Sequence, residues 1–197
     1  MIPQVASDLD ALATEAERQR QEVAALFSHQ DREALHWRPE EAKWSMTGHL
    51  AHLGVLNEAY LATIADRIAR ARSAGGPSSE GPYRHPRLSS TFVRAMEPPP
   101  RRRVRTFRSM RPPPDPDEEV VRSTFDALQS MLGEQIEAAR GLDLGRIRFG
   151  SPFSMLLRLS LGNALELVLA HNRRHVWLVR ELMSTDSFPG RRPAAPR

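Results

Sequence analysis

Four of the seven histidines form two close pairs, and imidazoles at such spacing can bind a metal ion. His171 and His175 are four residues apart, so on a helix their side chains lie one above the other on the same face. His49 and His52 are three apart on an earlier apolar segment, with His49 nearer the centre of its apolar stripe and His52 near the edge. Two helices are therefore predicted to direct imidazoles toward the interior.

This histidine pattern has two interpretations. An inward histidine is usually a core residue with a single hydrogen bond, and one pair at helical spacing is common by chance. A third inward imidazole on a second helix favours a metal site, because buried polar atoms without a shared purpose would each need a partner. Spacing alone leaves both interpretations open.

The composition restricts the chemistry further. The chain of 197 residues contains no cysteine, which excludes a disulfide framework, a cysteine-ligated metal and a cysteine nucleophile. Thiol chemistry would therefore need a thiol from outside the chain. No stretch reaches about 18 uninterrupted apolar residues, and the first residues lack the pattern of a signal peptide. We expect no membrane partner and a cytoplasmic location.

Apolar residues recur at spacings of three and four over most of the chain. This periodicity predicts long helices over about residues 8–30, 46–73, 117–140 and 163–183. Four such helices without alternating strands indicate an all-α four-helix bundle. One long crossover connection, between the second and third helices, lets two neighbouring helices run parallel.

Residues that begin and end helices support these limits. Ser7 and Ser45 are predicted to cap the first and second helices, and Gly141 follows the end of the third. Ser151 and Pro152 are typical of a cap and a first helical position, so a further short helical piece is predicted there.

The long connection has an unusual composition. Residues 73–116 hold 10 of the 16 prolines, and residues 84–111 carry nine arginines and one acidic residue, Glu97. We call residues 84–111 the basic arm. Its Leu88, Phe92 and Met96 are four apart and predict a short helix docked on the bundle.

Three roles suit the basic arm. It can be a surface segment that pairs with acidic helix faces, such as residues 115–119, and this is the interpretation we favour. The cluster within residues 101–105 can instead bind phosphates, although little aromatic interleaving supports nucleic acid as a partner. The arm can also cover the metal pocket and help to select an anionic substrate.

Two motifs resemble those of the DinB-like family. Residues 44–53, Trp-Ser-Met-Thr-Gly-His-Leu-Ala-His-Leu, followed by Asn57 and Tyr60, resemble its Trp-Ser then His-Leu signature. Residues 171–177, His-Asn-Arg-Arg-His-Val-Trp, are similar to its closing His-x-x-x-His motif, and the likeness covers about residues 5–184. We expect one domain over that range, with an insertion at 73–116 and a flexible tail at 185–197.

The resemblance implies a four-helix bundle that binds a divalent metal ion through His52, His171 and His175. Zn²⁺ is the expected ion, with Ni, Fe or Mn as alternatives. His49 stands where the family is usually apolar or variable, so we expect it to contact a ligand or to form a wall of the site, with a role as a ligand itself as the alternative. Asn57 and Gln135 lie close to inward stripes of their helices and are candidates for orienting a ligand.

The resemblance also implies two kinds of activity on a small-molecule substrate. One is a thiol-dependent S-transferase or isomerase that uses a low-molecular-weight thiol, and the other is a hydrolase. The alternative is a non-catalytic binding protein whose basic arm contacts nucleic acid or an acidic partner. A homodimer is compatible with each of these functions.

Overall fold

The computed structural model describes residues 9–79, 83–100, 106 and 108–189. The described elements, in chain order, are α1 (Leu9–Ser28), α2 (Arg32–His36), α3 (Met46–Ser73), α4 (Arg87–Met96), a 3₁₀ turn (Arg108–Met110), α5 (Glu118–Ala138), β1 (Arg148–Ser151), β2 (Ser154–Ser160) and α6 (Leu161–Met183). The four long helices α1, α3, α5 and α6 form the bundle, which confirms the all-α prediction.

Helix α3 packs against both α5 and α6, and α1 packs on the other side of the same two helices. Gln135 Nε2 of α5 donates to the Leu61 carbonyl of α3 (3.0 Å), and Arg72 Nη2 of α3 donates to the Ala138 carbonyl (2.8 Å). Residue numbers therefore rise together along α3 and α5. These two helices run parallel, an arrangement that the long crossover connection allows.

The core is built from the apolar stripes of the four helices. Ile64 of α3, Leu132 and Ile136 of α5, and Leu165 and Leu169 of α6 are fully buried in one cluster. Each such side chain contributes about 1.5–3 kcal/mol through burial. The predicted α5 stripe is confirmed in full, since its members are all buried: Val121, Phe125, Leu128, Leu132 and Ile136.

The helix limits follow from capping side chains. Ser45 Oγ accepts a hydrogen bond from the Gly48 amide (3.1 Å), which confirms the predicted cap of α3. Gly141, just beyond α5, has φ of 78°, a backbone conformation that favours glycine. Helix α6 begins two residues earlier than predicted, because Ser160 caps it. The predicted cap Ser7 lies outside the described residues.

The helical piece predicted at Ser151 and Pro152 is wrong. Strands β1 and β2 pair antiparallel as a hairpin there, with Phe149 opposite Leu159 and both side chains buried. Ser151 Oγ accepts a hydrogen bond from the Phe153 amide (3.2 Å) and so stabilises the turn rather than a helix. The alternation of exposed and buried side chains along β2 is short: Leu156 is exposed and Leu159 is buried.

The predicted short helix of the basic arm is confirmed as α4. Phe92 and Met96 pack against the main core cluster, whereas Leu88 is 80% exposed. The prediction that Leu88 docks on the bundle is therefore wrong, because α4 directs that position to solvent.

Beyond α6, the described part of the chain continues to Pro189. Phe188 is buried there and packs edge-on against Trp37 (5.7 Å between ring centroids). The remainder of the predicted tail, residues 190–197, lies outside the described residues. None of the helices within the described ranges is both long enough and apolar enough to cross a membrane.

Candidate metal centre

The three predicted ligands meet where α3 crosses α6. Asn57 Nδ2 of α3 donates to Asn172 Oδ1 of α6 (3.0 Å), and His52, which precedes Asn57 on α3, lies against His175. The two helices are therefore antiparallel here, which brings His52 to both imidazoles of α6. The candidate ligand atoms of His52, His171 and His175 all lie within 4.8 Å of one another, and all three residues are buried.

His52 is oriented by the basic arm. Its Nδ1 donates to the main-chain carbonyl of Met110 at the end of the 3₁₀ turn (2.6 Å). A carbonyl oxygen can only accept, so the proton of the neutral ring lies on Nδ1 and the lone pair on Nε2. His52 is thus prepared to bind a metal ion through Nε2.

His49, on the preceding turn of α3, contacts His175. The two Nδ1 atoms are 2.9 Å apart, a hydrogen bond in which one ring donates and the other accepts. His49 therefore touches one of the three predicted ligands.

The Nδ1 atom of His171 is buried and has no hydrogen-bond partner among the described residues. A buried polar atom without a partner costs about 1–3 kcal/mol. A metal ion that bound His171 through this Nδ1 atom would remove that penalty. The donor set, three buried nitrogen ligands, also fits a divalent ion that prefers imidazole.

One comparison with known protein families gives a match. The model of the DinB superfamily matches residues 15–179. The chain belongs to the DinB superfamily. Metal binding characterises this superfamily, and the three-histidine cluster is compatible with it. No curated protein and no solved structure matches the chain.

Trp44 forms one wall of the cluster in this DinB protein, a position not assigned from the sequence. Its ring centroid lies 4.8 Å from that of His52 and 6.0 Å from that of His175, with the latter pair stacked. Trp44 directly precedes the cap Ser45, so the start of α3 holds it over the imidazoles. The Trp-Ser pair was the only signal for this position in the sequence.

Burial keeps these imidazoles neutral. It lowers the pKa of His49 to about 4 and that of His171 to about 3, and it also lowers the pKa of His175 well below the usual value. The pKa of His52 is lowered by burial too, although its hydrogen bond to the Met110 carbonyl opposes the shift. The positive charge of Arg174 further lowers the pKa of His171 and His175. Neutral imidazoles are the form that binds metal ions.

The other two predicted orienting residues have different partners. The Asn57 amide bonds to Asn172, the residue next to His171, as described above. Gln135 bonds to the Leu61 carbonyl and so joins α5 to α3. The hydrogen bonds described for Asn57 and Gln135 thus connect helices rather than reach the three histidines.

The basic arm lies against α6 beside the cluster. Arg173 Nε donates to Glu97 Oε2 (2.9 Å), and Arg174 Nη1 donates to the Ala95 carbonyl (3.4 Å). Together with the Met110 contact, these bonds bring both described parts of the arm to the histidine-bearing helices. The arginines of residues 101–105 lie outside the described residues.

The acidic segment after the arm pairs with α2. Asp115 Oδ1 lies 2.7 Å from His36 Nδ1, and Glu118 Oε2 lies 2.9 Å from Arg32 Nη1. The sequence favours Asp115 and Glu118 as partners of the arm's arginines. The contacts described for them involve α2 instead: Glu118 forms an ion pair with Arg32, and Asp115 contacts the His36 ring.

Proposed function

We propose that this DinB protein binds one divalent metal ion through His52, His171 and His175 and uses it in an enzymatic reaction on a small molecule. The observation that carries the proposal is the convergence of three buried, neutral imidazoles within 4.8 Å. Zn²⁺ is the ion expected first, with Ni, Fe and Mn as alternatives, because imidazole is a suitable ligand for each.

Three neutral protein ligands suit a catalytic rather than a structural ion. Such an ion, when bound, keeps an open position and lowers the pKa of a coordinated water or thiol. The chain has no cysteine, so a thiol nucleophile would have to come from outside the chain, and a water molecule is the other nucleophile that a bound ion would activate. We therefore propose a thiol-dependent S-transferase or isomerase, or a hydrolase.

The chain's own residues have clear parts in this proposal. His52 is held by the Met110 carbonyl in the tautomer that leaves Nε2 unprotonated. Trp44 covers one side of the imidazoles and shields them from water. The charge of Arg174 next to the two α6 imidazoles favours an anionic substrate or a thiolate.

Metal analysis of the purified protein tests the site. We expect one equivalent of metal in the native protein, and loss of that metal in His175→Ala because two imidazoles hold a divalent ion much more weakly than three. His85→Ala is the matched control, since His85 is also buried but bonds to Ser160 at the start of α6.

Two results would contradict the metal site: a native protein without stoichiometric metal, or a His175→Ala variant that retains it in full. If metal is found, turnover of model thioether and ester substrates should be compared with and without low-molecular-weight thiols. Activity that requires the thiol selects the transferase or isomerase, and activity with water alone selects the hydrolase.

A further inference from the structure

The hydrogen bond between His49 and His175 determines which nitrogen of His175 is free. The two Nδ1 atoms are 2.9 Å apart, so the Nδ1 atom of each ring is the hydrogen-bond partner of the other. The unoccupied nitrogen of His175 is Nε2. For a neutral ring, an Nε2 that binds a metal ion requires the proton on Nδ1.

We propose that His49 is a positioning residue: its Nδ1 accepts a hydrogen bond from Nδ1–H of His175 and thereby presents Nε2 of His175 to the metal ion. This inference rests on the proposed metal site and assigns a proton to each ring. His49 carries its own proton on Nε2, because its Nδ1 is the acceptor. His175 carries its proton on Nδ1.

The surroundings of His49 hold it in this role. Trp44, directly before the cap of α3, packs edge-on against its ring (5.5 Å between centroids, 74° between planes). Apolar side chains, among them Val23 and Phe27 of α1, line the space that His49 and His175 share. In this apolar setting a hydrogen bond between the two rings satisfies a polar atom of each.

A neutral acceptor has a different effect from a carboxylate. A carboxylate bonded to a ligand histidine orients the ring and also adds negative charge next to the metal. His49 orients the His175 ring without adding that charge. An ion at this site would therefore keep more of its positive charge available for a bound water, thiol or substrate.

Two variants of His49 separate positioning from packing. His49→Asn keeps an acceptor oxygen near the position of Nδ1, whereas His49→Leu keeps only the bulk. Zn²⁺ affinity, measured by competition with a chelating dye, is expected to fall 10- to 100-fold in His49→Leu and to stay within about threefold in His49→Asn. His85→Leu, at a buried histidine outside the cluster, is the matched control and should bind Zn²⁺ like the native protein.

Nitrogen-15 NMR of the histidine rings in the metal-free protein provides a readout that packing alone would not change. We expect the His175 proton on Nδ1 in the native protein and in His49→Asn, and a mixture of tautomers in His49→Leu. Native affinity in His49→Leu, equal losses in both variants, or a His175 proton on Nε2 in the native protein would each overturn the inference.

The two proposals fail in different ways. A native protein that binds no Zn²⁺ refutes the metal site, and the NMR spectra of the metal-free rings then decide whether His49 holds His175. A native protein that binds Zn²⁺ and a His49→Leu variant of equal affinity refute the positioning role alone.

Discussion

The bundle and the basic arm hold the histidine cluster by different means. The bundle supplies all three imidazoles, and each lies on a buried face of α3 or α6. In the basic arm, Phe92 and Met96 pack against the core, whereas the contacts near the cluster are polar. They are the Met110 carbonyl at His52, the Ala95 carbonyl at Arg174, and the Glu97–Arg173 ion pair, whose side chains are 37% and 29% exposed. Partly exposed polar contacts open at lower free energy than a packed core. The packing of the bundle thus brings the three histidines together, and the arm orients one of them, His52, through the Met110 carbonyl.

The largest difference should appear when an apolar side chain is shortened in each region. Leu165→Ala removes a fully buried side chain of α6 and should lower the free energy of unfolding by about 2–5 kcal/mol. Leu88→Ala, on the exposed side of α4, should change it by less than about 0.5 kcal/mol. Urea denaturation followed by circular dichroism measures both values. Similar losses in the two variants would contradict the comparison.

Acid should destabilise the metal-free bundle through its buried imidazoles. The pKa of His171 is about 3 and that of His49 about 4 in the folded protein, against about 6.5 in an unfolded chain. Between these pKa values the unfolded chain binds more protons than the folded protein. The stability contributed by the neutral imidazoles is therefore fully present above about pH 6.5 and is lost as the pH decreases. We expect a loss of about 2 kcal/mol or more between pH 7 and pH 5.

Urea denaturation of the metal-free protein at several pH values tests this dependence. His171→Gln removes one buried titrating group, so its stability should depend less steeply on pH than that of the native protein. An equal pH dependence of the two proteins would show that His171 does not titrate with a lowered pKa.

A smaller effect is expected when one polar contact between the arm and the bundle is removed. Glu97→Ala breaks the ion pair to Arg173 but leaves the contact of Arg173 with Glu15 (2.8 Å). Global stability should fall by at most about 1 kcal/mol, as is usual for partly exposed pairs. Cleavage of the arm by trypsin should become several-fold faster, and Zn²⁺ affinity should fall about two- to fivefold because Met110 holds His52 less firmly.

Glu17→Ala is the matched control for that experiment. Glu17 pairs with Arg20 within α1 and forms no described contact with the arm. Equal trypsin cleavage rates in Glu17→Ala and Glu97→Ala would show that the Glu97 pair does not hold the arm.

Features of this fold that depend on local residues could be predicted from the sequence, whereas short features, or those whose residues suit two structures, could not. The α5 stripe and the Ser45 cap could be predicted because helical periodicity and capping depend on residues within a few positions. The hairpin was missed because Ser151 and Pro152 suit a turn as well as a helix start, and because the alternation in β2 is brief. The predicted docking of Leu88 is wrong because a spacing of four does not define how a short helix is rotated about its axis relative to the bundle.

For the candidate site, the sequence by itself determined which imidazoles are available and on which helix faces they lie. The spacing of His171 and His175 settles this, since it is a local property of an α-helix. Only the tertiary structure decided which groups meet these imidazoles. The antiparallel crossing of α3 and α6 brings His49 to His175 and His52 to both α6 histidines. The Met110 carbonyl could not have been foreseen, because every residue carries a carbonyl and only the path of the chain selects the one that faces His52.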